Sequence, residues 1–320
     1  MKKRNVSIAI AVLIVLTAGV VFGGIPEKLQ KEFTGKDKIK IEAVSGDVVV
    51  LTRSGNKISV NVVYDVTPKD AFTPVIREQG KTLRLKEEWR GNRSTGTVTW
   101  NLTVPPETEI EFEAASGDIS ASGLQKSFEA KSASGDIELT DMKGNIDVST
   151  ASGDVTLENI SGDIEVNTAS GEVDGDNLDG SIDISCASGD IKINKAKGGF
   201  DLSCASGDLD IRDIVLTGDC EFSAASGDVV VSLANTAAYD LSVSSASGDA
   251  VLDYNGNDIK GSFEMQAKKR GGRIVCPFPF DHEEEFEAWG QTYIKKTFTR
   301  SGDSPVVKIH SASGKAVLRK

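Results

Sequence analysis

Aromatic side chains are scarce in this chain, at 6% of 320 residues. That scarcity argues against a thick globular core built around large rings. It suits a slender fold whose interior is stacked from aliphatic side chains. Only 2 His and 4 Cys are present, and no paired C-x-x-C spacing occurs, so no zinc-site pattern can be drawn from them. Basic residues are the minority, 36 Lys and Arg against 48 Asp and Glu, for a formal charge of −12. Such a surface repels nucleic acid and anionic membranes. Cations, or a cell-surface, basic-protein or glycan partner, fit it better, and no cofactor is implied.

Long apolar runs are confined to one place. Lys2, Lys3 and Arg4 precede an uncharged, mostly apolar run from Val6 to Phe22, followed by Gly23, Gly24, Ile25 and Pro26. This is the pattern of an export signal, and residues 1–24 are read as a signal peptide or an N-terminal membrane anchor. Small residues at Thr17 and Gly19, or Val21 and Gly23, suit a signal peptidase, and the run also approaches spanning length, so both fates stay open. No Cys closes the run to accept a lipid. The expected location is the cell envelope: periplasmic, cell-surface or membrane-anchored, with membrane contact through this segment alone.

What the chain has in abundance is a repeat. The tetrapeptide Ala-Ser-Gly-Asp or Ala-Ser-Gly-Glu recurs with its glycine at Gly117, Gly135, Gly153, Gly171, Gly189, Gly207, Gly227 and Gly248. The spacing is 18 residues five times, then 20 and 21. A weaker turn falls nine residues on, at Gly144, Gly162, Gly180 and Gly198, so each coil holds two strand-plus-turn halves. Period-two alternation before the turns gives columns such as Ile110, Phe128, Ile146, Ile164, Ile182 and Phe200, then Phe112, Ala130, Val148, Val166, Ile184 and Leu202. A third column is small, with Ser132, Thr150, Thr168, Cys186 and Cys204. After the turns run Ile119, Ile137, Val155, Val173, Ile191 and Leu209.

One coil cannot bury such a face alone, but coils stacked about 4.8 Å apart make a continuous core. The expectation is an all-β, parallel β-solenoid of about 18 residues per coil. Antiparallel hairpins are the competing reading, and the strict period argues against them. Each turn glycine is expected to supply a positive φ, and the preceding Ala to keep the corner small. Residues 25–108 read as an irregular N-terminal β entry or cap, 109–254 as the regular repeats, 255–304 as an insertion or C-terminal cap, and 305–320 as a final coil.

The stretch VPPETEIEFEAASGDISASG, a Val-Pro entry into the first Ser-Gly-Asp turn, together with the eight repeated turns, resembles a bacterial family of unknown function labelled "putative adhesin" (domain of unknown function 4097). The likeness covers about residues 36–254 and the final coil. It implies an extracytoplasmic β-solenoid and carries no catalytic residues to transfer.

Two acid ladders are expected. Turn acids Asp118, Asp136, Asp154, Glu172, Asp190, Asp208, Asp228 and Asp249 stack along one edge. Glu111, Glu129, Asp147, Glu165, Asp183, Asp201 and Glu221 stack on an outer face. Carboxylates about 5 Å apart repel by roughly 1 kcal/mol in a water-like dielectric. For the turn ladder the offset is expected to be local, with Asx turns and a Ser hydroxyl donated to each carboxylate. The face ladder is read as a solvated surface, its seven acids being weak candidates for divalent cations. A calcium nonapeptide solenoid is disfavoured, because each half here has a single turn glycine. Cys186 and Cys204 are neighbours on adjacent coils, where a disulfide and plain small-residue packing both fit.

Trp89, Trp100 and Trp289 lie outside the regular coils in sequence, and paired carboxylates occur everywhere, so no catalytic pair stands out. The chain therefore reads as a non-enzyme, an envelope scaffold or adhesion module with binding spread over its ladders. A self-assembling element resembling bactofilin is the alternative, and a polysaccharide-active β-helix enzyme the more remote one. The aromatic-rich stretch around Phe278, Phe280, Phe286, Trp289 and Tyr293 reads as a packed cap in preference to a contact surface.

Overall fold

Strands follow from the alternation: in Ile146–Thr150 the side chains of Ile146, Val148 and Thr150 are buried while Asp147 is exposed and Ser149 half-buried. The computed structural model describes residues 26–91 and 94–320, so the expected export segment lies outside the described residues. Within them the protein is all-β apart from one short 3-10 turn, Lys69–Ala71. No helix among the described residues is long and apolar enough to cross a membrane.

Successive rungs pair in parallel and in register. Phe128 lies opposite Ile146, Ile146 opposite Ile164, and Ile164 opposite Ile182, an offset of 18 residues each time. The second half of each coil does the same, with Ile137 opposite Val155 and Val155 opposite Val173. Equal side chains are thereby stacked into the apolar columns, which are almost fully buried. A chain that returns to the same side after every coil can only pair in parallel; at the two ends, where no return is needed, antiparallel hairpins appear.

The stack begins earlier than the span 109–254 allows. Lys38–Ala43 and Asp47–Thr52 form a first rung, with Ile39 opposite Ile110 and Val48 opposite Ile119. Its signal was the lone Ser45-Gly46-Asp47, separated from the next turn by a 71-residue offset in register. Thr82–Trp89 and Phe72–Gln79 extend one face beyond it; Thr95–Val104, Lys57–Thr67 and Glu27–Thr34 extend the other. At the far end Val306–Ser311 follows Leu241–Ser245, and the inserted Gly261–Lys268, Gln291–Arg300 and His282–Ala288 follow in turn. Phe263 there stacks on Phe298 at 4.6 Å, with Phe278 and Phe280 against the same ring. The outermost strands carry Pro74 at one end and Glu283, Glu284, Glu285 and Glu287 at the other, features that discourage further strand addition.

The glycine requirement differs from expectation. Of the eight repeat-turn glycines only Gly227 has a positive φ, at 147°. What excludes a side chain is the preceding rung: a Cβ on Gly153 would lie 1.9 Å from the Gly135 carbonyl oxygen, and one on Gly171 equally close to that of Gly153. Left-handed backbone falls instead on Asp141, Asn159, Asn177, Lys195 and Asp213, a column with φ between 54° and 56°. Asn159 donates to Asp141 at 2.9 Å and Asn177 to Asn159 at 2.8 Å, so this corner is tied by side chains.

Strands flank the first rung on both faces, but no Ser-Gly-Asp corner precedes its turn, and Glu87 takes that corner's place. Its buried carboxylate accepts the backbone N–H groups of Val44, Ser45 and Gly46 at 2.8, 3.1 and 3.3 Å and the indole N–H groups of Trp100 and Trp89 at 2.9 and 3.2 Å.

Gly153→Ala is expected to cost about 3 kcal/mol or more, because two rungs must separate. At Gly199, where an added Cβ meets nothing within 4 Å, the same change should be neutral or slightly stabilising. Chemical denaturation of the two variants checks this, and equal losses would remove the close-approach account.

Candidate binding groove

The corner between the two halves is closed by hydrogen bonds that the repeat encodes. Thr150 Oγ1 accepts the N–H of Gly153 at 3.0 Å, Thr168 that of Gly171 at 2.9 Å, and Ser132 that of Gly135 at 2.8 Å. The chain therefore reverses within three residues of a buried hydroxyl, and the third column must be small and polar where it does so. The rung-to-rung ladder continues around the corner, with Ala151 N–H bonded to Ser132 O at 3.2 Å and Ala169 N–H to Thr150 O at 3.1 Å.

The turn acids bond between rungs, not within them. Asp118 accepts the backbone N–H of Asp136 at 2.9 Å, Asp136 that of Asp154 at 2.9 Å, and Asp154 that of Glu172 at 2.8 Å. Asp190, Asp208 and Asp228 repeat this with Asp208, Asp228 and Asp249. The serines do not donate to carboxylates as expected: Ser134 donates to Ala115 O at 3.2 Å and Ser116 to Val44 O at 3.3 Å, both in the preceding rung. A carboxylate aimed at the next amide keeps one charge per rung while turning mutual repulsion into a charge-assisted bond. The series is interrupted at Glu172, whose longer side chain meets Lys192.

On the outer face, Glu111, Glu129, Asp147, Glu165, Asp183, Asp201 and Glu221 stand in register, one per rung. Glu111 is held below the usual carboxylate range by hydrogen bonds from Lys40 and Lys38, against the effect of burial. Burial raises Asp147 and Asp183, and the neighbouring carboxylates raise them further: Glu165 and Glu129 for the first, Asp201 and Glu165 for the second. Among the described residues no group of three or more His, Cys, Asp or Glu is arranged to hold a metal ion.

Between these two acid rows runs a groove of about 1180 Å³. It crosses eight rungs, from Ser132 to Ser311, a length of about 34 Å at about 4.8 Å per rung. Thr150, Thr168, Cys186, Cys204 and Ser245 form its floor. One wall is Ser149, Asn167, Ser185, Ser203, Ser223 and Ser244; the other is Ala151, Ala169, Ala187, Ala205, Ala225 and Ala246. No Asp or Glu lines it among the described residues. The floor thiols of Cys186 and Cys204 both meet the Gly189 carbonyl, at 3.3 and 3.2 Å, and both are free. Burial, with Cys204 adding to it, pushes Cys186 up to about 11.

The far end is built from the insertion and the final coil. Gln266, Trp289, Tyr293 and His310 converge there. Trp289 sits at the hairpin tip with φ of 48° and is 89% exposed. Tyr293 stands edge-on to it at 6.3 Å and is backed by Phe286 at 5.6 Å. His310 Nε2 lies 3.2 Å from Glu264 Oε1, and burial pulls His310 below the usual histidine range with Glu264 opposing. Sequence separation hid this arrangement. Trp289 lies outside the coils along the chain and beside them in space, so the stretch is packed cap and exposed surface at once.

The geometry defines a class: an all-β stack of parallel rungs with a long groove on one corner. The Toastrack DUF4097 family model matches residues 36–272, and the chain belongs to that family. No curated protein matches it. Among solved structures it is similar to a "putative cell adhesion protein" from Clostridium sporogenes, at 12% identity over 92% of this chain and 99% of that one, with a TM-score of 0.21. A "putative lipid binding protein" from Parabacteroides distasonis shows 14% identity, coverage of 93% and 98%, and a TM-score of 0.38. For a "putative adhesin" from Bacteroides fragilis the values are 12%, 92%, 96% and 0.35. These likenesses are too distant to carry function.

Two outcomes follow from the acid rows. Glu172→Asp should rejoin the turn series and raise stability by about 1 kcal/mol, since the exposed ion pair it gives up is worth little; a variant no more stable than the parent in urea would refute the rung-to-rung account. For the face row, folded-state pKa values raised above the unfolded ones mean that ionisation opposes folding, a penalty present above the folded pKa and relieved as pH falls through the carboxylate range. Asp147→Asn with Asp183→Asn should therefore raise the melting temperature at pH 7 and lose that advantage near pH 3. A gain that persists at low pH would have another cause.

Proposed function

We propose that the chain is a non-enzymatic, extracytoplasmic binding module of the cell envelope, a β-solenoid of about 18 residues per coil that works through its corner groove. The observation that carries this reading is the charge layout. On a protein of formal charge −12, one surface that spans eight rungs has no carboxylate among the described residues and ends at an exposed Trp289. Large exposed apolar features of this kind mark interaction sites. Binding spread over the acid ladders is less favoured, because the turn acids are already engaged by backbone amides.

The non-enzymatic part is supported by the chemistry of the lining. Ser185 and Ser203 bond each other at 3.2 Å, Ser245 and Ser311 donate to the turn carbonyls of Gly227 and Gly248, and His310 faces Glu264. Nucleophilic catalysis needs a serine or thiolate bonded to a base, and these serines are bonded to each other or to backbone. The envelope location is supported by the basic-then-apolar N-terminal segment. Charged end strands disfavour the self-assembling alternative.

The full chain should sediment with isolated cell-envelope material, and Ala187→Tyr, which fills the groove from an exposed position, should reduce that binding at least about tenfold. Asp147→Asn with Asp183→Asn should leave it unchanged. Loss of binding in the face-row variant alone would transfer the function to the acid face.

A further inference from the structure

Building on the groove reading, we propose that its ligand is an uncharged, extended glycan, with one sugar ring seated against Trp289. Three features point to this class. The first is charge. Each wall of the groove is bordered by a carboxylate row, Asp147, Glu165 and Asp183 on one side and Asp136, Asp154 and Asp190 on the other. Both rows repel an anionic polymer, whereas a cationic one would be drawn to the rows and away from the trough between them.

The second is periodicity. Ser149, Asn167, Ser185 and Ser203 present a hydroxyl or amide at every rung, facing a row of alanine methyls. A repeating site about 34 Å long matches a ligand that repeats along its own length. Ser185 and Ser203 bond each other and Asn167 donates to Glu165, yet each keeps further hydrogen-bonding capacity that an acyl chain, half exposed in an open trough, would not meet. A sugar polymer offers both parts, C–H faces for the methyls and hydroxyls for the polar wall.

The third is Trp289. A tryptophan that is 89% exposed contributes nothing to the core, yet a left-handed turn sets it at the hairpin tip and Tyr293, itself backed by Phe286, stands edge-on to it. Flat, supported aromatic faces stack on the apolar faces of sugar rings. Gln266 and His310 lie beside it in the same groove end and supply polar contacts.

The test titrates the full chain with neutral linear oligosaccharides (cello-, xylo-, manno- and chito-series) of increasing length, and with oligogalacturonates as the charged control. Titration calorimetry reads binding in every variant, and tryptophan fluorescence of the parent places it at the site, since Trp100 is fully buried and Trp89 partly so. Saturable binding to a neutral series is expected, tightening with length until the groove is spanned. Trp289→Ala should weaken it about tenfold, while Trp289→Tyr should keep most of the affinity and Glu172→Asp all of it. Binding confined to the charged control, or unaffected by Trp289→Ala, would overturn the proposal. If no neutral series binds while Ala187→Tyr still releases the chain from envelope material, the glycan class falls and the groove reading stands. If neither interaction is seen, both fall.

Discussion

Every feature of this protein depends on the distance between parallel rungs, about 4.8 Å. At that separation identical side chains are forced together once per coil, and each position must be one that tolerates its own copy. Apolar residues do so by packing, which is why Ile146, Ile164 and Ile182 can recur unchanged. The corner glycines do so because nothing larger than hydrogen fits against the carbonyl of the rung before. Carboxylates are the difficult case, and the turn row resolves it by aiming each acid at the next backbone amide.

The same constraint explains how the stack starts. The first rung's turn has no corner before it, so its amides would be left without acceptors in a buried place, at a cost of about 1–3 kcal/mol each. Glu87 supplies the missing acceptor and holds two indole N–H groups as well. Its burial is tolerable only because five donors surround one carboxylate. The repeat of this chain therefore starts from a residue that does not look like the repeat.

That point marks the limit of what the sequence reveals. The period, the columns and both acid rows were legible, because a repeat written in consecutive residues shows its register directly. The first rung was hidden, since Ser45-Gly46-Asp47 is a single copy far from the next. Glu87 was hidden because nothing local distinguishes a capping glutamate from its neighbour Glu88. The glycine reason was misread: a turn glycine suggests positive φ, whereas here the crowding comes from another coil and is invisible along the chain. Trp289 carried the largest penalty of this kind, as its place in an insertion says nothing about which coil the hairpin reaches.

The groove and the acid rows are then two consequences of one corner. The residue before each corner is small, a hydroxyl that closes the turn at Ser132, Thr150 and Thr168 and a Cys or Ala at Cys186, Cys204 and Ala224, and the residue after it is an alanine, so a trough opens wherever the motif repeats. The acids on either side are spaced by the same coil and cannot enter it. A surface that stays open and regular over eight rungs, free of carboxylates among the described residues and with Lys131 at one end, is therefore not a separate device added to the fold; it is what the Ala-Ser-Gly-Asp corner produces when stacked. The insertion adds what repetition cannot supply, a single aromatic end that gives the trough a direction.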